Sequence, residues 1–270
     1  MSGTHRGGPA AARRWARTFL PFLLPLLVLL LPAGSGAAAQ EAGWTGRLFV
    51  QALSVRDAGD WVTLRQEVGR RLQGGRRLRL GLAQTRRFGT WDASAEAGAV
   101  LRPGDVYLSL DARITPEARI LEDALLGARA ALPVGEVGPS VGYRLQLFAE
   151  GPVHTVSPRL EWYRGPWLLS GELRLIRSAV ETVNVAGIAR ITRRVSADWR
   201  IWIGAAAGEE DFLVGRPPTR RLRTLDTRSL FGGVERALAD GWSVRADVTG
   251  VDSDPRLDRV GGALTVARAF

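Results

Sequence analysis

From residue 44 to the C-terminus the chain alternates between apolar and polar residues with period two. The segment 77–114 shows it most clearly. Leu78, Leu80 and Leu82 share one face, and Arg77, Arg79, Gly81, Ala83, Thr85 and Arg87 the other. Trp91, Ala93, Ala95, Ala97, Ala99 and Leu101 oppose Asp92, Ser94, Glu96 and Gly98. Val106, Leu108, Leu110, Ala112 and Ile114 oppose Tyr107, Ser109, Asp111 and Arg113. A small or oily face backed by a charged one, strand after strand, marks a transmembrane antiparallel up-and-down β-barrel. Fourteen strands are expected, with twelve the alternative: 44–54, 60–72, 77–88, 91–102, 105–114, 120–132, 138–149, 153–163, 167–177, 182–192, 197–206, 224–236, 242–250 and 259–270.

Turn lengths set the orientation. With both termini in the periplasm, the tight turns at Gln73-Gly74-Gly75, Pro103-Gly104 and Asp240-Gly241 are periplasmic, and the long segment 208–223 is external. Short periplasmic turns and longer external loops are the rule for such barrels. Trp44, Trp61, Trp91, Trp162, Trp167 and Trp242 fall near strand ends, where interfacial girdles sit. Trp199 and Trp202 have no obvious place in that pattern. Pro158 opposes it, since it interrupts the proposed strand 153–163 and a closed barrel has no edge to host a missing donor. A bulge or a later strand start would accommodate it.

Residues 1–39 change the picture of the mature chain. Arg6, Arg13, Arg14 and Arg17 precede an apolar run at 19–31, and small residues end in Ala37-Ala38-Ala39. This is the pattern of a cleaved secretory signal. The rival reading, an N-terminal anchor, needs ~20 spanning residues, and Pro21 and Pro25 interrupt this shorter run. Cleavage after Ala39 removes four arginines and no acids, which lowers the formal charge from +10 to +6 and leaves a barrel domain at 40–270. For a secreted basic protein the expected counter-charge is anionic lipid or polysaccharide, not nucleic acid. Without cysteine there is no disulfide framework or thiolate site, and no cofactor is expected.

The expected lumen face carries both signs: Arg77, Arg79, Arg87, Asp92, Glu96, Asp111, Arg113, Arg159, Glu161, Arg174 and Arg200 among others. Two readings stand: a passage for anions or acidic saccharides, or a web of cross-strand ion pairs filling a narrow interior. With Gly89-Thr90 as a two-residue loop, Arg87 would pair with Asp92 inside and Phe88 with Trp91 outside. Arg86 would face lipid at head-group level. The external segment carries Arg216, Arg220, Arg221 and Arg223, either a solvated loop or a clamp on lipopolysaccharide phosphates.

Enzyme signals are thin. After processing His154 is the single histidine, and a three-residue offset puts it and Ser157 on opposite faces, which does not suit a Ser–His pair. Asp92 and Glu96 share a face, as glycosidic acid and base would, but their neighbouring arginines suit a structural role better.

RRFGTWD, with DAGDWVTLRQEVGRRL before it and WYRGPWLLSGELRLI after, resembles the YaiO family of outer-membrane barrels. The resemblance implies one outer-membrane barrel of unestablished activity and transfers no catalytic residues. The chain ends in LTVARAF, similar to the C-terminal recognition signal of such barrels. Phe270 is therefore the expected contact with the barrel-assembly machinery, although Arg268 stands where an apolar residue is usual. A monomer is expected.

Overall fold

A computed structural model describes residues 43–56, 59–178, 183–214, 221–254 and 258–270, with the side chains of 210–214, 221–224 and 254 left aside. The expected targeting segment, residues 1–39, and its expected cleavage site lie outside the described residues. The strands are β1 (Trp44–Val55), β2 (Gly59–Arg71), β3 (Arg77–Arg87), β4 (Thr90–Leu101), β5 (Tyr107–Ile114), β6 (Ala124–Ala131) and β7 (Val137–Phe148). They continue as β8 (Gly151–Arg164), β9 (Trp167–Arg177), β10 (Val183–Arg194), β11 (Trp199–Val214), β12 (Arg221–Ala237), β13 (Trp242–Asp254) and β14 (Arg259–Ala269). Each pairs antiparallel with its sequence neighbours, and β1 closes on β14. Closure reaches the last residue: Trp44 N–H donates to the Phe270 carbonyl at 2.7 Å, and Phe270 N–H to Trp44 at 2.9 Å.

The period-two pattern explains this sheet. Leu80, Ile203, Leu230 and Val248 are each more than 60% exposed, on strands spread round the barrel. So much bare aliphatic surface is sustainable against lipid and not against water. Closure leaves no unpaired strand edge, which is what a sheet needs to stand in hydrocarbon.

Four local expectations are corrected. The β3–β4 turn is Phe88-Gly89, with both residues at positive φ (52° and 75°), the type I′ geometry whose twist matches a hairpin. Thr90 therefore pairs with Arg87, Trp91 with Arg86, and Asp92 with Thr85, not with Arg87. Strand β6 begins at Ala124, since 115–123 forms a connection that turns inward. The segment 208–223 is mostly sheet: β11 and β12 continue their ladder out to Val214↔Arg221, so Arg221 and Arg223 are strand residues. Arg216 and Arg220 lie outside the described residues. Finally, Pro158 causes no bulge. The β8–β9 register is the same at Val156↔Leu175 and Arg159↔Glu172; the ladder simply omits Ser157 and Pro158 between them.

Candidate functional site

The connection 115–123 lies at the end of the barrel opposite Trp44 and Phe270, and Asp92 draws it into the lumen. Asp92 sits on the inner face of β4 and is buried. Its carboxylate accepts the backbone N–H groups of Arg119 (3.1 and 3.0 Å to its two oxygens), Ile120 (2.8 Å) and Leu121 (2.8 Å). An ionised carboxylate is the strongest acceptor the chain can offer three converging amides. Arg113 Nη1 on β5 holds Glu122 at 2.9 Å. Thr115, Ile120, Leu121 and Glu122 are consequently all buried. Two apolar side chains, Ile120 and Leu121, thereby enter the lumen as the apolar anchor of the inserted loop.

Beneath this loop is a cavity of about 440 Å³. Seven arginines line it (Arg65, Arg79, Arg87, Arg113, Arg129, Arg144, Arg174) against four acids (Glu96, Asp111, Glu122, Glu172). Most of these charges are shared. Arg79 bridges Glu67 at 3.1 Å and Asp111 two strands away. Arg113 holds Glu96 as well as Glu122, both at 2.9 Å, and Arg65 reaches Glu96 at 3.3 Å. Glu172 gathers Arg174 at 2.9 Å, Arg129 at 3.0 Å and Arg159 at 4.0 Å. The Arg144 side chain alone of the seven has neither an ion pair nor a hydrogen bond among the described residues. The lining side chains thus carry three more positive than negative charges.

Glycine makes room for these cross-strand reaches. Gly98 lies between Arg79 and Asp111 in the ladder, and a Cβ there would come within 2.2 Å of the Arg79 Nε. The guanidinium crosses β4 because that strand presents no side chain at the crossing.

The other predicted inner-face residues are placed as follows. Arg77 lines a smaller cavity of about 290 Å³ near the termini, with Arg47, Glu67 and Asp111. Arg159 bonds Glu161, which also accepts Tyr163 Oη at 2.6 Å. Arg200 reaches Glu235 at 3.4 Å. Arg87 stacks on Trp61, 4.9 Å from the ring centroid, and is opposite Thr90 in the register while Asp92 is opposite Thr85. Trp61 itself is a second correction: it points inward and is buried, between Arg87 and Arg259. Trp202 is also inside, between Arg190 (5.0 Å) and Arg245 (4.4 Å).

Arg129 and Glu122 were not among the predicted site residues. Arg129 was legible, since it alternates with outward Ala128 and Ala130. Glu122 was not, because nothing local says that its loop turns inward. His154 and Ser157 part as expected. His154 Nδ1 is 2.8 Å from Tyr143 Oη on the outer wall, while Ser157 Oγ accepts Arg129 at 3.1 Å inside. No three metal-ligating side chains converge among the described residues.

No family model and no curated protein matches the chain. Among solved structures it is similar to the outer membrane protein Omp33 of Acinetobacter baumannii: 13% identity, 84% of this chain and 99% of that one, TM-score 0.53. Further similar structures are OpdK of Pseudomonas aeruginosa (10%, 86% and 99%, TM-score 0.48) and OmpT of Vibrio cholerae (9%, 85% and 97%, TM-score 0.46). The fold is that of an outer-membrane β-barrel.

Proposed function

We propose that this barrel is a narrow channel of the Gram-negative outer membrane that passes small anions or acidic saccharides. The observation that carries this reading is the chamber under the inserted loop, with seven arginines to four acids and Arg144 left without a counter-ion. An arginine without a protein partner, in a wet confined space, is a resting site for a passing carboxylate or phosphate. The YaiO resemblance belongs to the same reading. So does the assignment of Arg86, outward at the external rim and opposite Trp91, to lipopolysaccharide phosphate.

Planar-bilayer recording under a potassium chloride gradient tests it. The pure protein should conduct with a reversal potential on the chloride side, and Arg144→Glu should move that potential toward the non-selective value. Heat-modifiable gel migration establishes independently that the variant is folded.

One observation favours a second reading, a plugged structural barrel: the loop is held by Asp92 and Arg113 together. Folded protein that inserts but conducts no ions would establish the plug.

A further inference from the structure

The outer wall carries a second arrangement of arginines, unlike that of the lumen. At the end of the barrel where Trp44 meets Phe270, Arg70 sits over Trp44 at 5.2 Å, Arg193 over Trp167 at 5.1 Å, Arg236 over Trp199 at 5.0 Å and Arg268 over Trp242 at 5.2 Å. In each case the two residues are directly opposite in the strand register. Arg164 covers Trp162 at 5.7 Å, two residues away on the same face. All five Trp belong to the lipid-facing set, and four are more than a third exposed. The external rim has one outward pair of this kind in the register, Arg86 opposite Trp91.

The contrast with the lumen is in the counter-charge. Most of the chamber's arginines sit on carboxylates, but none of Arg70, Arg164, Arg193, Arg236 and Arg268 has an ion pair or a side-chain hydrogen bond among the described residues. Stacking on indole fixes each guanidinium plane at the height of the ring while its N–H fork stays available. Tryptophan at a barrel rim sits among lipid head groups. The missing partner at that height is phosphate, which a guanidinium fork matches with two parallel hydrogen bonds.

We infer that these Trp–Arg pairs form a ring of binding sites for the phosphate of anionic phospholipid head groups in the periplasmic leaflet. The inference rests on the membrane placement of the barrel and is independent of whether its lumen conducts. Barrels of this fold direct their termini and short turns to the periplasm. The ring therefore meets phospholipid, whereas Arg86 at the other rim meets lipopolysaccharide.

The test is native mass spectrometry of the folded protein in a non-ionic detergent, offered phosphatidylglycerol and phosphatidylcholine in equal amounts. The wild type should retain the anionic lipid in about tenfold preference, given the attraction of each basic side chain for an anionic lipid surface. Arg193→Gln with Arg236→Gln should lower that preference severalfold. Arg193→Lys with Arg236→Lys should keep most of it. Arg177→Gln with Arg228→Gln, which removes equal charge from the outer wall toward the external rim, should leave it intact. Should the rim double variant fail to fold, the corresponding single variants give the same comparison. Equal retention of both lipids by the wild type would overturn the inference, as would an equal loss in the control pair. Displacement of the lipid by an equal concentration of inorganic phosphate would show sites for free phosphate and overturn it too. Loss of the lipid preference with conductance unchanged separates this ring from the chamber.

Discussion

Asp92→Ala is the most informative single change. With the loop still docked, it would strand the three amides of Arg119, Ile120 and Leu121 without an acceptor. A hydrogen bond to a charged group contributes ~1.5–3 kcal/mol, so three together cost ~5–9 kcal/mol. Releasing the loop gives those amides back to water and forgoes the burial of Ile120 and Leu121, at ~1.5–3 kcal/mol each. The nine residues of the loop also regain chain entropy, which offsets much of the lost burial. Release is the cheaper outcome. The variant should therefore lose only ~1–3 kcal/mol of global stability while its loop leaves the lumen. Two assays read this directly. Trypsin should cut after Arg119 in the folded variant and spare that bond in the wild type. Single-channel conductance should rise in the variant. Asp92→Asn keeps one acceptor oxygen and should fall between the two. A variant with wild-type conductance and a protected Arg119 bond would refute the assignment of Asp92 as the anchor of the loop.

Two further changes test the charge network and the β3–β4 turn. Glu172→Gln frees Arg129 and Arg174 from their shared carboxylate. The reversal potential should move further toward chloride, with a loss of ~1–2 kcal/mol in urea unfolding, at the low end because the chamber is wet. Phe88 occupies the first position of a type I′ turn at φ 52° and packs edge-on against Trp61, ring centroids 5.4 Å apart. Phe88→Asn relieves a left-handed conformation worth ~1–2 kcal/mol. It gives up an aromatic contact worth ~0.5–1.5 kcal/mol. The two nearly cancel, whereas Phe88→Ala loses the contact without equal relief and should be the less stable. Equal destabilisation by Asn and Ala would show that the turn carries no strain.

Much of this protein was legible before folding. The strand count, the order of the strands and the face of almost every residue follow from a period-two pattern. Lipid on one side and water on the other impose opposite chemistry on successive residues. Arg79, Glu96, Asp111, Arg113 and Arg174 were assigned to the charged face on that basis, and in the structure each takes part in a cross-strand or same-face ion pair. Register at turns was less secure, because one residue decides it: Phe88-Gly89 and Gly89-Thr90 are equally short, and only backbone φ separates them.

Partnership was decided by the tertiary structure. Asp92 reads as the neighbour of Arg87 along a hairpin, yet it binds amides 27–29 residues further on. Trp61, expected in the interfacial girdle, and Trp202, given no place by the pattern, both lie inside against arginines. A sequence pattern records which medium each side chain meets, because that depends on its own position in the pleat. It does not record which distant group crosses a closed lumen to meet it, because that depends on the circumference of the barrel and on a loop returning to its wall.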